Sequence, residues 1–404
     1  MYKRILIALD NSEDSIKAEK MSVLFAKKFK STLTGFHAYS GRFHRERFKI
    51  IEKYLPEKYQ KEEVLHHQRN IHSVLIERGM EIISLEYMKR IRDECEKFNI
   101  NFKEKIIDGK NSDQIIEEAK NHHLLIIGAQ GMGKVNLPYR LGSNSRRALR
   151  HINIDLLLVK RDVLPKKILV GLDGSKQSQK ILEKVIKIAH LFDYEVFLIS
   201  SFEPLLHRSV FKSLVEVLSE EAGKVFKFKE QEDLHNKVID QSLAELYSSY
   251  LNHAKSILQR NGISVKTELL EGKPYYSLWQ KSRVINPDLI VVGKFGLHQG
   301  KNQNIGSTTE NISEVAESNI LILALSEEKE GVQEEVLKET VEKEDEGEEK
   351  IIWSEEAKER LKRIPAFARA MAILAIERYA KQENIKLITP EVMKKAREKN
   401  PPKS

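Results

Sequence analysis

The residues best suited to chemistry lie between positions 293 and 308. Gly293-Lys294-Phe295-Gly296 is followed by nine residues and then by Gly306-Ser307-Thr308. A glycine has no Cβ to keep an anion away from the main chain, so glycines at the exit of an apolar run can expose N–H groups. The hydroxyls of Ser307 and Thr308 open a helical pattern from Glu310 to Glu317. The unpaired first-turn amides of such a helix, and its dipole, favour phosphate. Upstream, Asp173-Gly174-Ser175 ends another apolar run. A carboxylate there can accept hydrogen bonds from a ribose hydroxyl or an adenine amino group. The expectation is a crevice in which the amides of Gly293, Gly296 and Gly306–Thr308 converge on a phosphate tail while Asp173 holds the nucleoside.

An earlier stretch repeats the pattern with one change. Gly128-Ala129-Gln130-Gly131 is followed by ten residues, Pro138 among them, before Gly142-Ser143. One extra residue redirects amides in so tight a loop; Gly133, Arg146 and Arg147 stand close enough in sequence to compensate, since arginine pairs well with phosphate. Neither loop is a P-loop, because no Gly-Lys-Ser/Thr triplet follows four spacer residues. No base or arginine finger can be picked out, so slow hydrolysis at most is expected.

These loops sit in an internal repeat. Residues 3–12 recur as 167–175, 124–128 as 288–293, and 156–159 as 320–323, at an offset of 163–165. Two copies of one domain follow, 1–162 and 165–326. Strands are expected near 4–9, 32–38, 101–107, 124–128 and 155–160, then 167–172, 194–200, 263–270, 288–293 and 319–325. Helical periodicity fills 12–29, 82–98, 175–191 and 240–260. The strands are continuously apolar, as a sheet buried on both faces requires. The fold class is therefore α/β, two doubly wound parallel-sheet domains with ligands at the carboxyl ends of the strands. Charged inserts, 41–80 and 203–238, read as helical arms that pack or pair.

The chain has 404 residues, 41% hydrophobic and 32% charged. So many charges fit a heat-adapted surface of ion pairs. One Cys, Cys95, excludes a disulfide framework, a four-Cys zinc site and a self-contained iron–sulfur cluster. Its acidic neighbours oppose a reactive thiolate. His66, His67 and His72 lack helical metal spacing, and His122-His123 replaces the acid found before the fourth strand of copy two. No run approaches a membrane span and no signal peptide is seen, so a cytoplasmic protein is expected. The net charge of +8 hides an acidic linker, 327–350, of net −8, which leaves +16 elsewhere. No Lys/Arg cluster is interleaved with stacking aromatics, so nucleic acid is not the expected partner.

On Asp173, Gly293, Gly296, Gly306 and Ser307 the chain resembles a tandem universal stress protein, across roughly 320 of its 404 residues. The resemblance implies a glycine loop that cradles ATP phosphates and a first-strand Asp that meets adenine or ribose. It implies ATP, with or without Mg2+, as ligand. By the same resemblance the site residues are Asp173, Gly174, Ser175, Ser201, Gly293, Gly296, Gly306, Ser307 and Thr308 in copy two, and Asp10, Ala38, Gly128, Gly131, Gly142 and Ser143 in copy one. Ser201 and Ala38 stand where that family often has Val against adenine. Pairing through the fifth strand is implied too, as an intrachain pseudo-dimer, with a homodimer as the further option.

Residues 351–404 form a separate small all-α module with three helical patterns, Ser354 as an N-cap, and Thr389-Pro390 opening the last helix. On Trp353, Ala357, Leu361, Pro365, Phe367, Arg369, Glu377, Ala380, Ile388, Thr389 and Glu391 it resembles the small C-terminal domain of the light-independent protochlorophyllide reductase B subunit. Nothing here resembles that enzyme's iron–sulfur core, so the module suggests docking to an unknown protein partner. The expected function is adenine-nucleotide binding in sensing or regulation. The alternatives are a nucleotide-independent scaffold whose tail recruits a redox or tetrapyrrole partner, and a slow ATPase.

Overall fold

Ten strands carry the two repeats in one sheet, apolar in its interior and charged in the two edge strands, Phe102–Asp108 and Val265–Glu271. The computed structural model describes residues 1–133, 141–163, 166–203, 240–296 and 304–324, with 352–362, 373, 376–377, 379–380, 383 and 385–399. The linker 327–350, most of the second insert (204–239), and Pro138, Pro365, Phe367 and Arg369 lie outside the described residues.

Copy one runs β1 (Arg4–Ala8), α1 (Glu13–Phe29), β2 (Thr32–Tyr39), α2 (Gly41–Ile51), α3 (Glu62–Lys97), β3 (Phe102–Asp108), α4 (Asn111–Ala119), β4 (Leu124–Gly128), α5 (Ser143–His151) and β5 (Asp155–Val159). Copy two runs β6 (Lys167–Gly171), α6 (Lys176–Phe192), β7 (Glu195–Phe202), α7 (Asp240–Arg260), β8 (Val265–Glu271), α8 (Pro274–Ile285), β9 (Leu289–Gly293), α9 (Ser307–Val315) and β10 (Asn319–Leu323). The strands fall where expected, to within two residues at most ends. The first insert adds a 36-residue helix. Helices α4, α5 and α8 lie outside the expected helical stretches. They are short, 9 to 12 residues, and a helix that short is held by packing rather than propensity.

The strand order is 3-2-1-4-5-10-9-6-7-8, parallel throughout except where β5 meets β10. That antiparallel pair, with Leu157 opposite Leu321, joins the two five-stranded halves edge to edge. Each end of the pair is finished by a side chain. Asn319 Oδ1 accepts the amides of Lys160 and Arg161, and Asp155 Oδ1 accepts that of Ala324. Successive strand residues serve opposite cores. Ile5 and Ile7 pack with α1 and α3, whereas Leu6 and Ala8 join Leu149 and Ile115 of α5 and α4. Burial of the central strands on both faces follows from this two-sided helical cover.

The tail forms a second compact unit. Helices α10 (Glu355–Lys362) and α11 (Pro390–Lys399) pack around Ala357, Ala380, Ile388 and Met393. Besides the helices it has two short parallel strands, β11 (Ile352–Trp353) and β12 (Leu387–Ile388). Ser354 Oγ accepts the amide of Ala357 as an N-cap, and Trp353 Nε1 donates to Glu377.

Candidate functional site

At the carboxyl end of each half, the residue after the first strand meets the glycine loop after the fourth. A Cβ on Gly296 would stand 2.8 Å from Asp173 Oδ2, and one on Gly131 2.6 Å from Asp10 Oδ2. A side chain at either position would require the carboxylate to shift. The structure therefore places Asp173 directly against the loop. Asp173 Oδ1 accepts the Ser175 amide and the Ser178 hydroxyl, both at 3.0 Å. Asp10 Oδ1 does the same work with the amide and hydroxyl of Ser12. Gly174 takes a left-handed φ of 73°, and Asn11 takes 59° at the equivalent turn.

The loop closes on itself before its helix begins. Gly306 N–H donates to the Lys294 carbonyl at 2.9 Å, and Gly142 N–H donates to that of Ala129 at 2.8 Å. The expectation that the Gly306 amide is exposed is corrected here. It shapes the loop, and the open donors are those of the helix that follows. Both α5 and α9 begin at a glycine N-cap, and among the described residues no side-chain hydrogen bond caps the first-turn amides. Thr309 Oγ1 donates to the Gly293 carbonyl at 2.6 Å and Ser145 Oγ to that of Gly128 at 2.7 Å. These hydroxyls tie each helix start to its strand and leave Ser307, Thr308 and Ser143 at the mouth. Neither Thr309 nor Ser145 was singled out by sequence; their matched positions, 164 apart, were the available signal.

The two copies differ in what already fills the cradle. In copy one, Asp14 Oδ2 accepts the Gln130 loop amide at 3.1 Å, and Ser12 Oγ lies 2.6 Å from Asp10 Oδ1 and 3.1 Å from the Gln130 carbonyl. A carboxylate of the chain thus occupies a loop donor. A small pocket of about 190 Å3 remains between Ser12, Asp14, Gly131 and Met132. In copy two the residue equivalent to Asp14 is Gln177. Gln177 Oε1 and Ser175 Oγ are both buried without a hydrogen-bond partner. A buried polar atom left unpaired costs about 1–3 kcal/mol, so it marks a place where a partner is missing.

The nucleoside side also differs. In copy two Tyr250 packs on Gly174, where a Cβ would come within 2.0 Å of the ring, and Tyr247 neighbours Tyr250 and Phe202. Burial, with the charge of Asp173, raises the Tyr247 phenol above its ordinary value. Ser201, next to Phe202 on β7, is half-buried. Its counterpart Ala38 on β2 is buried. In copy one His37 Nδ1 lies 2.7 Å from Ser84 Oγ, its ring edge-on to Tyr87. Burial holds the imidazole below its usual value, against the pull of Asp10.

Other expected residues have structural work. Arg146 is bound to Glu314 at 2.8 Å, and Arg147 reaches Ser112 and Asp113, so neither is held in reserve for phosphate. His123 Nδ1 accepts the Arg4 amide, as Asp288 accepts that of Lys167. His122 is buried between Thr34 and the Glu118 carbonyl. Burial pushes the Cys95 thiol up to about 12. Among the described residues no group of His, Cys, Asp and Glu could hold a metal, and no helix is long and apolar enough to cross a membrane.

The universal stress protein family model matches residues 1–160 and again 165–324. The chain belongs to the universal stress protein family. A second family model, described as the proto-chlorophyllide reductase 57 kD subunit, matches residues 353–397, which form the tail module. Universal stress protein MJ0531 of Methanocaldococcus jannaschii is 25% identical over 181 residues, 44% of this chain and 92% of that protein. A universal stress protein from Archaeoglobus fulgidus has the same fold over 80% of this chain and 97% of its own, at 17% identity and a TM-score of 0.50. A universal stress protein solved in complex with cAMP is similar over 41% of this chain and 100% of its own, at 18% identity and a TM-score of 0.28.

Proposed function

We propose that this universal stress protein binds an adenine nucleotide, ATP with or without Mg2+, in copy two, and acts by binding rather than by turnover. The observation that carries the reading is the unsatisfied cradle. Two buried polar atoms lack partners at the start of α6, the Ser175 hydroxyl, which can donate to a phosphate, and the Gln177 amide oxygen, which can accept from a nucleotide hydroxyl; they lie beside a loop whose following helix has a glycine N-cap with no side-chain hydrogen bond. First-turn amides with no side-chain acceptor, joined to the helix dipole, form an anion site. Gly296, Ser307 and Thr308 would meet the phosphates. Gly293 and Gly306 would shape the loop. Asp173, Gly174 and Ser201 would face the nucleoside, with Tyr247 and Tyr250 as added aromatic surface.

Copy one supports a different role. Its Asp14 already fills the loop and would repel a phosphate, so Asp10, Ala38, Gly128, Gly131, Gly142 and Ser143 serve as a packed partner half with weaker nucleotide binding at most. The tail, 351–404, is assigned docking to a protein partner, with a regulatory output set by nucleotide occupancy. Calorimetry of the full chain with ATP tests the reading: one strong site is expected. Gly296→Val, which forces a side chain onto Asp173, should abolish it, while Gly131→Val should leave it in place. Absence of heat in the wild-type protein, or a site lost only through Gly131→Val, overturns the proposal.

A further inference from the structure

A loop that receives an anion has to be held still while its amides stay open, and the two copies hold theirs in opposite ways. In copy one the holding groups are carboxylates seated on the amides. Asp14 Oδ2 accepts the Gln130 amide at 3.1 Å, and Glu314 Oε2 accepts that of Leu141 at 3.0 Å. Those donors are spent. In copy two the residue matching Gln130 is Phe295, and neither its amide nor that of Gly296 makes a hydrogen bond among the described residues. The hold comes from the residue before them. The Lys294 amide donates to the Leu323 carbonyl of β10 at 2.9 Å, and its carbonyl accepts the Gly306 amide. Its buried side chain crosses the joint to the Ile152 carbonyl of copy one. Ala129, at the same place in copy one, makes the two main-chain bonds, with Val159 and Gly142, and has no side chain to send across.

We infer that Lys294 is a positioning residue for the phosphates, anchoring the copy-two loop from outside so that its amides stay open, and that copy one is thereby part of the copy-two site. The inference rests on the reading that copy two takes a nucleotide. The carbonyl that Lys294 grips ends α5, where main-chain acceptors lack helical partners and a cation is favoured. Both the amine and that carbonyl are buried, so each is costly to leave unpaired and the anchor is firm. Donors fixed before the ligand arrives lose less freedom when it binds. Lys294 does this through Phe295 and Gly296, with its own amine turned away to the other half.

Calorimetry of the full chain with ATP and with adenosine tests the role. Lys294→Met should weaken ATP about tenfold and leave adenosine within about twofold, because only the phosphates meet the loop. Lys160→Met removes a cation from the same joint, at the end of a strand rather than within a loop, and should change neither affinity. The wild-type protein gives a second reading that does not depend on a variant folding: the Lys294 and Gly306 amides should be protected from hydrogen exchange before ATP is added. A wild type that binds no ATP overturns the nucleotide reading and this inference together. Where the wild type does bind ATP, the positioning role alone is overturned by an unchanged ATP affinity in Lys294→Met, by a parallel loss of ATP and adenosine, by an equal loss in Lys160→Met, or by loop amides protected only once ATP is present.

Discussion

The ε-amino group of Lys294, inside the glycine loop of copy two, donates to the carbonyl of Ile152, the residue that ends α5 in copy one. Lys160, at the end of β5, reciprocates by donating to the Ser313 carbonyl in the last turn of α9 at 2.7 Å. Each half thus supplies the cation that finishes the last helix of the other, where unpaired carbonyls and the negative end of the dipole favour it. The same two helices begin at the two glycine cradles. Arg146 and the Leu141 amide of copy one both bind Glu314 of α9, so the loops are tied to each other's helices at both ends.

Burial lowers Lys294 to about 8, from an ordinary value of 10.5. Between those pH values the unfolded chain holds a proton that the folded chain has released. Folding stability contributed by this residue therefore rises as pH climbs from 8 towards 10.5. Lys294→Met removes the titration. The stability of wild type relative to this variant should increase by on the order of 1–3 kcal/mol between pH 7 and pH 10, read from urea unfolding at each pH. A difference that stays constant across that range rules the account out.

Asp14 and Gln177 predict a transferable binding site. Asp14→Gln should release the Gln130 amide and remove a negative charge from the copy-one cradle, raising its affinity for ATP. Gln177→Asp should weaken copy two by roughly tenfold through repulsion of the phosphates. Calorimetric stoichiometry with single and double variants checks both directions. Equal affinity of wild type and Gln177→Asp would contradict the role given to the residue.

The pair His37–Ser84 in copy one corresponds to Ser200–Tyr247 in copy two. A large strand residue meets a small helix residue in copy one, and the order of sizes is reversed at the offset positions of copy two. Ser84→Tyr alone should crowd His37 and cost about 1–3 kcal/mol. His37→Ser alone should leave a gap. The double variant should recover most of the loss, a coupling that a double-mutant cycle in urea measures directly. Additive losses would show that the two positions are independent.

Asp155 is buried at the joint between halves, accepting from Lys184, Tyr2 and the Ala324 amide. Asp155→Ala leaves a tyrosine hydroxyl and an amide without their acceptor and should destabilise by about 3–5 kcal/mol. Asn319→Ala, at the matching strand start, removes neutral hydrogen bonds only and should cost about 1–2 kcal/mol. Thermal unfolding of the two variants ranks them; the reverse order would refute the comparison.

Much of the fold was legible in residue order. Runs such as Leu124–Gly128 and Leu289–Gly293 are apolar at every position, and only a strand covered on both faces tolerates that. Helix α5 was not legible: its sequence, SNSRRALRH, buries only Ser145, Ala148 and Leu149, and its arginines bind side chains far off in the chain. The glycines and Asp173 were visible because their spacing is unusual. Tyr247 and Tyr250 were not, because an aromatic on an amphipathic helix looks like any core residue until the helix is seen to cross a particular turn.

Local chemistry, then, was settled by residue order alone: two repeats, a sheet buried on both faces, a glycine loop opening a helix in each copy, and a separate tail. Tertiary structure decided which donors remain open. It spends the Gly306 amide on closing the loop, gives the copy-one loop amide to Asp14, leaves the Ser175 hydroxyl and the Gln177 amide oxygen unpaired in copy two, and sets Lys294 and Lys160 across the joint. Hydrogen-bond partners distant in sequence are chosen by packing geometry, and no periodicity along the chain encodes them.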